Sequence, residues 1–130
     1  MKKLVVSLII ENTEGKLLLL LRDNKPTIPF PNHWHTPGGK AEAGETPEQA
    51  IAREMKEEIE LELKEFSLFK KYEWPEKTEY VYYIKAGLDP STTPIHEGQK
   101  LQYFAASEIE KMNLAFHNNE ILHDFFASKQ

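Results

Sequence analysis

Glu54, Glu57 and Glu58 are the residues whose spacing first suggests chemistry. On a helix turning about 100° per residue they share one sector of roughly 100°. Acids at i, i+3 and i+4 repel each other, by about a few tenths of a kcal/mol per exposed pair. Either they form a solvated acidic face eased by Arg53 and Lys56, or they gather a hard divalent cation. Magnesium takes oxygen ligands and usually shares them with substrate phosphates. Just upstream lies Gly38-Gly39-Lys40, read as a loop whose bare backbone can approach a phosphate chain while Lys40 adds charge. Loop, lysine and clustered acids together suit phosphoryl transfer, in which positioning and charge neutralisation are most of the catalysis.

A helix must carry these acids. Thr46-Pro47-Glu48 marks its start, with Thr46 as N-cap and Pro47 at the first helical position, and it should run to about Leu61. Ile51, Met55 and Ile59 form its apolar stripe. Leu4 to Ile10 and Leu17 to Leu21 read as strands around a turn, and their continuous apolar runs imply a sheet covered on both faces. Arg22 to Pro37 is irregular, with four prolines, and a loop this long is often functional. Phe66 to Trp74 and Thr78 to Ala86 read as paired strands, and Lys100 to Ala105 as another. Ser107 to Glu110 has a capping-box pattern for a short helix. Asn118 to Ala127 reads as a last helix facing inward through Ile121, Leu122, Phe125 and Phe126. The expectation is an α/β (α+β) domain, residues 1–130, with a mixed sheet between helices.

Composition sets bounds. The chain has 130 residues, a formal net charge of -5 and no cysteine. The charge argues against coating a nucleic-acid polymer, though not against a nucleotide in a local pocket. A disulfide scaffold and a thiolate metal site are excluded. The apolar start ends at Ile10 without a cleavage pattern, so it reads as a strand, and no run is long enough to span a membrane. A cytoplasmic location fits.

From Gly39 to Leu61 the chain resembles the Nudix family, whose box is G-x5-E-x7-R-E-U-x-E-E-x-G-U, with U bulky and aliphatic. Gly39, Glu45, Arg53, Glu54, Met55, Glu57, Glu58 and Leu61 match eight of its nine fixed positions. The departure is Glu60, where the box has glycine, and a left-handed exit there would cost on the order of 1 kcal/mol. The resemblance implies a Nudix-like α/β/α sandwich and dependence on magnesium or manganese. Glu54, Glu57, Glu58 and the Gly38 carbonyl would bind metal. Arg53 would orient Glu54, Glu45 would brace loop and helix, and Gly39 and Lys40 would meet phosphates. Glu97, in Glu97-Gly98-Gln99, is a further ligand or general base, or a plain loop acid. Glu54 or Glu57 could equally activate water.

Looser similarity to MutT-type pyrophosphohydrolases extends over most of the chain. It implies that Asn119 reads an oxidised guanine base, whereas the bland reading has Asn119 capping the last helix. Thr36 stands where those enzymes carry an aromatic, so Trp34 or Tyr83 is the candidate replacement surface. Arg22 binds a phosphate or a surface acid, and His33 and His35 contact substrate or pack the loop. The implied substrate is a nucleoside triphosphate, normal or oxidised, giving monophosphate and pyrophosphate. A nucleotide sugar, a dinucleoside polyphosphate and a non-catalytic nucleotide-sensing module remain alternatives. The protein would be a monomer or homodimer.

Overall fold

The computed structural model describes residues 2–129. Strands β1 (Lys3–Glu11) and β2 (Leu17–Leu21) are joined by a turn in which Asn12 Oδ1 accepts from the backbone N–H groups of Glu14 and Lys16. They pair only at Glu11 and Leu17 and then part. The segment after the long loop fills the gap. β3 (Trp34–His35) pairs with β2, β4 (Gly38–Lys40) pairs with β1, and the Pro37 carbonyl accepts from Leu8 N–H at 2.9 Å. The glycine segment expected to be a loop is therefore a short strand. A Cβ on Gly38 would lie 2.7 Å from the Ser7 Cα, so only glycine lets the two backbones approach this closely.

The rest of the sheet is built outward. β6 (Lys77–Lys85) runs parallel to β1 along its whole length, β5 (Ser67–Glu73) lies antiparallel on β6, and β7 (Lys100–Phe104) lies antiparallel on β2. This is the expected mixed sheet.

Alternation assigns each apolar run to both faces. Val6, Leu8, Ile10, Leu18 and Leu20 pack with Ile51, Met55 and Ile59 of α1 (Pro47–Ile59). Ile9, Leu17, Leu19 and Val81 pack with Ile121, Leu122 and Phe125 of α3 (Asn118–Ala127) on the other face. Each fully buried aliphatic side chain contributes about 1.5–3 kcal/mol relative to exposure. The sheet thus lies between helices, and a continuous leucine run is needed because both faces are dry.

Two helix ends differ from the sequence expectation. α1 stops at Ile59, not Leu61, and Glu60 takes φ 53° and ψ 35°. The Glu60 N–H reaches back to Lys56 O at 3.2 Å, the bond of an αL cap, and the Leu61 N–H to Met55 O at 3.1 Å, closing the helix on a non-glycine residue. In the short helix α2 (Ala106–Ile109), Ser107 is not the cap. Glu108 bonds the backbone N–H three residues earlier, at Ala105, so only half a capping box forms, without a side-chain oxygen at the cap. No helix among the described residues is long and apolar enough to cross a membrane.

Candidate active site

The site begins with the way α1 starts. Thr46 Oγ1 accepts from Gln49 N–H at 3.1 Å, and the Gln49 side chain accepts from Thr46 N–H at 3.0 Å. This reciprocal cap fixes the helix phase and turns Arg53, Glu54 and Glu58 towards β4. The Arg53 guanidinium grips Glu45 with Nε at 2.6 Å and Nη2 at 3.0 Å. Its Nη1 donates to Glu54 at 2.9 Å and to Glu57 at 3.0 Å, and Nη2 also reaches the Lys40 carbonyl at 3.1 Å. One side chain thus ties the approach to the helix, the helix and β4 together. Hydrogen bonds donated to Glu45 foremost, and then to Glu54, push the Arg53 pKa further up, while Arg53 holds the Glu45 carboxyl below its usual range.

Glu54, Glu58 and Glu97 border one cavity of about 290 Å³, together with Gly38, Gly39 and Lys40. A Cβ on Gly39 would run into the Glu54 carboxylate, so the glycine makes room for it. Glu58 is buried, and its Oε2 has no hydrogen-bond partner among the described residues. Burial, then the neighbouring Glu54 and then Glu97, raise its pKa far above the carboxylate range. A buried carboxylate oxygen without a donor is costly, and a hard divalent cation is what an all-oxygen donor set of this kind fits. Among the described residues no three acidic or imidazole side chains close on one point as a finished shell. Glu57 is turned outward onto Arg53 and does not border the cavity.

Glu97 reaches the site through a fastened loop. His96 N–H donates to Glu58 O at 2.9 Å, and Gln99 N–H to Leu21 O at 2.8 Å. Between them Gly98 takes φ 100°, where a Cβ would meet Leu20 at 2.9 Å.

A second cavity of about 310 Å³ shares Arg22, His35, Gly38, Gly39 and Lys40 with the first and extends towards β6. His35 is flanked by positive charges. Burial foremost, then Arg22 and Lys77, push its pKa down to about 3, so its ring is neutral at physiological pH. His33 instead bonds the Pro31 carbonyl and borders neither cavity.

The asparagine in this second cavity is Asn118, one residue before the one singled out from sequence. Asn118 is buried, and its Oδ1 accepts from Thr36 N–H at 2.7 Å and Thr36 Oγ1 at 3.1 Å. Asn119 is exposed and braces its own loop, accepting from Leu114 N–H and donating to Met112 O. The nearby aromatic is Phe116, not Trp34 or Tyr83. Trp34 packs edge-on to Phe104 and Tyr83 bonds Glu11. Phe116 has φ 55°, with the Arg22 guanidinium 4.9 Å and the Lys77 ammonium 4.6 Å from its ring centre. Periodicity could not have chosen between Asn118 and Asn119, because both lie in the first turn of α3.

The NUDIX domain family profile matches residues 1–125. The chain belongs to the Nudix family. The Nudix match agrees with an ADP-ribose pyrophosphatase of Methanocaldococcus jannaschii, 34% identical over 126 residues, covering 93% of this chain and 71% of that protein. An 8-oxo-dGTP diphosphatase of Escherichia coli is 41% identical over 80 residues, covering 59% of this chain. This chain spans only 60% of the length of that second relative. Among solved structures, a MutT from work on Aliivibrio salmonicida and Vibrio cholerae superposes with a TM-score of 0.80 at 24% identity, covering 98% of this chain and 99% of that one. The Nudix domain of Shewanella oneidensis NrtR, solved with ADP-ribose, gives 0.79 at 17% identity, covering 100% and 90%. These two likenesses show the Nudix fold.

Proposed function

We propose that this Nudix domain hydrolyses a phosphoanhydride bond in a nucleoside triphosphate, releasing a nucleoside monophosphate and pyrophosphate. The observation that carries this reading is the buried, unpartnered Glu58 oxygen beside Glu54, opening on a cavity that continues past Gly38–Lys40 to Asn118.

Glu54, Glu58 and the Gly38 carbonyl would hold a divalent cation, with Glu57 joining from the rim. When bound, magnesium or manganese supplies charge neutralisation for the pyrophosphate and acidifies a water. The chain's own residues do the rest. Arg53 fixes the Glu54 carboxylate, so its position costs nothing at the moment of reaction. Lys40 and Arg22 line the passage between the two cavities and meet the phosphates. Neutral His35 stands there as a hydrogen-bonding group that does not change charge. Glu97, exposed and bordering the same cavity, takes the proton of the attacking water. The water oxygen forms a bond to one phosphorus in line as the bridging P–O bond breaks. Asn118, rather than Asn119, is the amide placed to meet the base.

A second reading is hydrolysis of ADP-ribose or a similar nucleotide sugar, favoured by the relative that aligns over 93% of this chain. The test is a panel of normal triphosphates, 8-oxo-dGTP, ADP-ribose and dinucleoside polyphosphates, with and without magnesium, with product identification. Magnesium-dependent pyrophosphate release from a triphosphate is expected. Cleavage of ADP-ribose alone would replace the substrate. Binding without cleavage of any member would mark a sensing module instead.

A further inference from the structure

Glu79 is a buried carboxylate with a cavity in front of it. It lies on β6 opposite Val5 of β1 and is 4% exposed. Trp74 Nε1 donates to its Oε1 at 3.0 Å and Ser7 Oγ donates to its Oε2 at 2.9 Å. Lys77 Nζ is 3.9 Å from Oε1. Burying a carboxylate costs free energy that an aliphatic residue would not incur, and these three partners offset part of it. Glu79 borders the same cavity as Asn118, Thr36 and Phe116.

The hydrogen-bonding capacities of these groups are fixed. An ionised carboxylate accepts about four hydrogen bonds and donates none. Each Glu79 oxygen has taken one side-chain donor and keeps a further lone pair. Asn118 is the complement. Its oxygen is committed to the Thr36 N–H, which can only donate, so the amide nitrogen is the group left to serve an occupant.

We infer that Glu79 selects a guanine base by accepting its paired N1–H and N2–H donors, while the Asn118 amide nitrogen donates to O6. This rests on the reading above, that a nucleotide occupies the cleft with its base in this cavity. Among the common bases only guanine sets two donors side by side on its pairing edge with a carbonyl next to them. Thymine and uracil place one N–H between two carbonyls, which a carboxylate repels. Adenine and cytosine offer one amino group beside a ring nitrogen that only accepts. A site built on buried hydrogen-bonding groups rejects a base lacking the matching group, because its own polar atoms are then left unpaired. Oxidation at C8 alters the far side of the purine and leaves this edge intact. Glu79 therefore reads guanine and not its damage.

The test is equilibrium binding of GMP, IMP, AMP, CMP and UMP to the native protein and to Glu79→Gln, with folding checked by circular dichroism. IMP differs from GMP only by the missing 2-amino group. Native protein should bind GMP at least about tenfold more tightly than IMP or AMP. Glu79→Gln should weaken GMP by about tenfold or more and change AMP by less than about threefold. Equal affinity for GMP and IMP, no measurable GMP binding, or an equal loss for every base in the variant would overturn the inference. If Glu79→Gln does not fold, the GMP–IMP comparison on native protein decides alone. Triphosphate turnover measured in parallel separates the two proposals. Guanine selectivity without cleavage overturns the hydrolase reading and leaves Glu79 standing, whereas cleavage without guanine selectivity does the reverse.

Discussion

The Glu60 carboxylate lies 2.5 Å from His96 Nε2, and the His96 N–H donates to the Glu58 carbonyl at 2.9 Å. The left-handed residue that ends α1 and the loop that carries Glu97 are thus fastened to each other. The side chain that strains the helix exit also helps hold an acid at the site. Left-handed backbone costs a non-glycine residue about 1–2 kcal/mol, and an exposed polar contact of this kind returns about 0–1 kcal/mol. Glu60→Gly should therefore be neutral or stabilising by up to about 2 kcal/mol. Glu60→Ala should be destabilising by about 0.5–1 kcal/mol, because it keeps the Cβ and loses His96. Urea denaturation ranks them, and an alanine variant as stable as the glycine variant would remove strain from the account.

Glu58 gives a pH prediction. Its folded pKa is raised above 4.5, by burial first and by Glu54 and Glu97 next. Its contribution to stability in the metal-free protein is present below about pH 4.5 and is lost as pH rises towards the folded value. Subtracting the Glu58→Gln profile from the native one isolates this term. With chelator present, the variant should have the higher thermal midpoint at pH 8. Magnesium should raise the midpoint of native protein and leave that of the variant unchanged. Equal magnesium shifts in both would remove Glu58 from the cation site.

Arg53 tests positioning. Its fork serves Glu45 through two nitrogens, and Nη1 serves both Glu54 and Glu57. Lysine keeps the charge and loses the planar fork. Arg53→Lys should cost about 1–2 kcal/mol of stability and lower kcat about tenfold to hundredfold. KM should change less than kcat, because Arg53 acts through Glu54. A fall confined to KM would place Arg53 on the substrate instead.

The two adjacent asparagines should separate cleanly. Asn119→Ala removes two hydrogen bonds that brace the loop before α3 and should cost about 1–3 kcal/mol with kcat/KM nearly unchanged in folded protein. Asn118→Ala should lower kcat/KM about tenfold or more while the cation-dependent thermal shift persists. Steady-state kinetics on both variants, at a temperature where each is folded, decides. The opposite pattern would return the base contact to Asn119.

Local chemistry and period were enough for much of this protein. The leucine run of β2, the Thr46-Pro47 start of α1 and the stripe Ile51-Met55-Ile59 each follow from interactions within a few residues of the chain. So does the sector that holds Glu54, Glu57 and Glu58, because a helix maps spacing directly onto direction. What depended on segments far apart in sequence had to wait for the tertiary structure. Gly38–Lys40 became a strand because β1 and β2 part and leave edges to be paired. Glu57 faced outward because Arg53 Nη1 holds its carboxylate at the rim. Asn118, and not Asn119, borders the second cavity because Thr36, 82 positions away, offers two donors where α3 begins. Glu79 gave no local signal at all, since a single acid in an aromatic strand looks like an exposed one until Ser7 and Trp74 close over it. Burial and partner choice are set by packing between distant segments, and spacing along the chain carries no record of them.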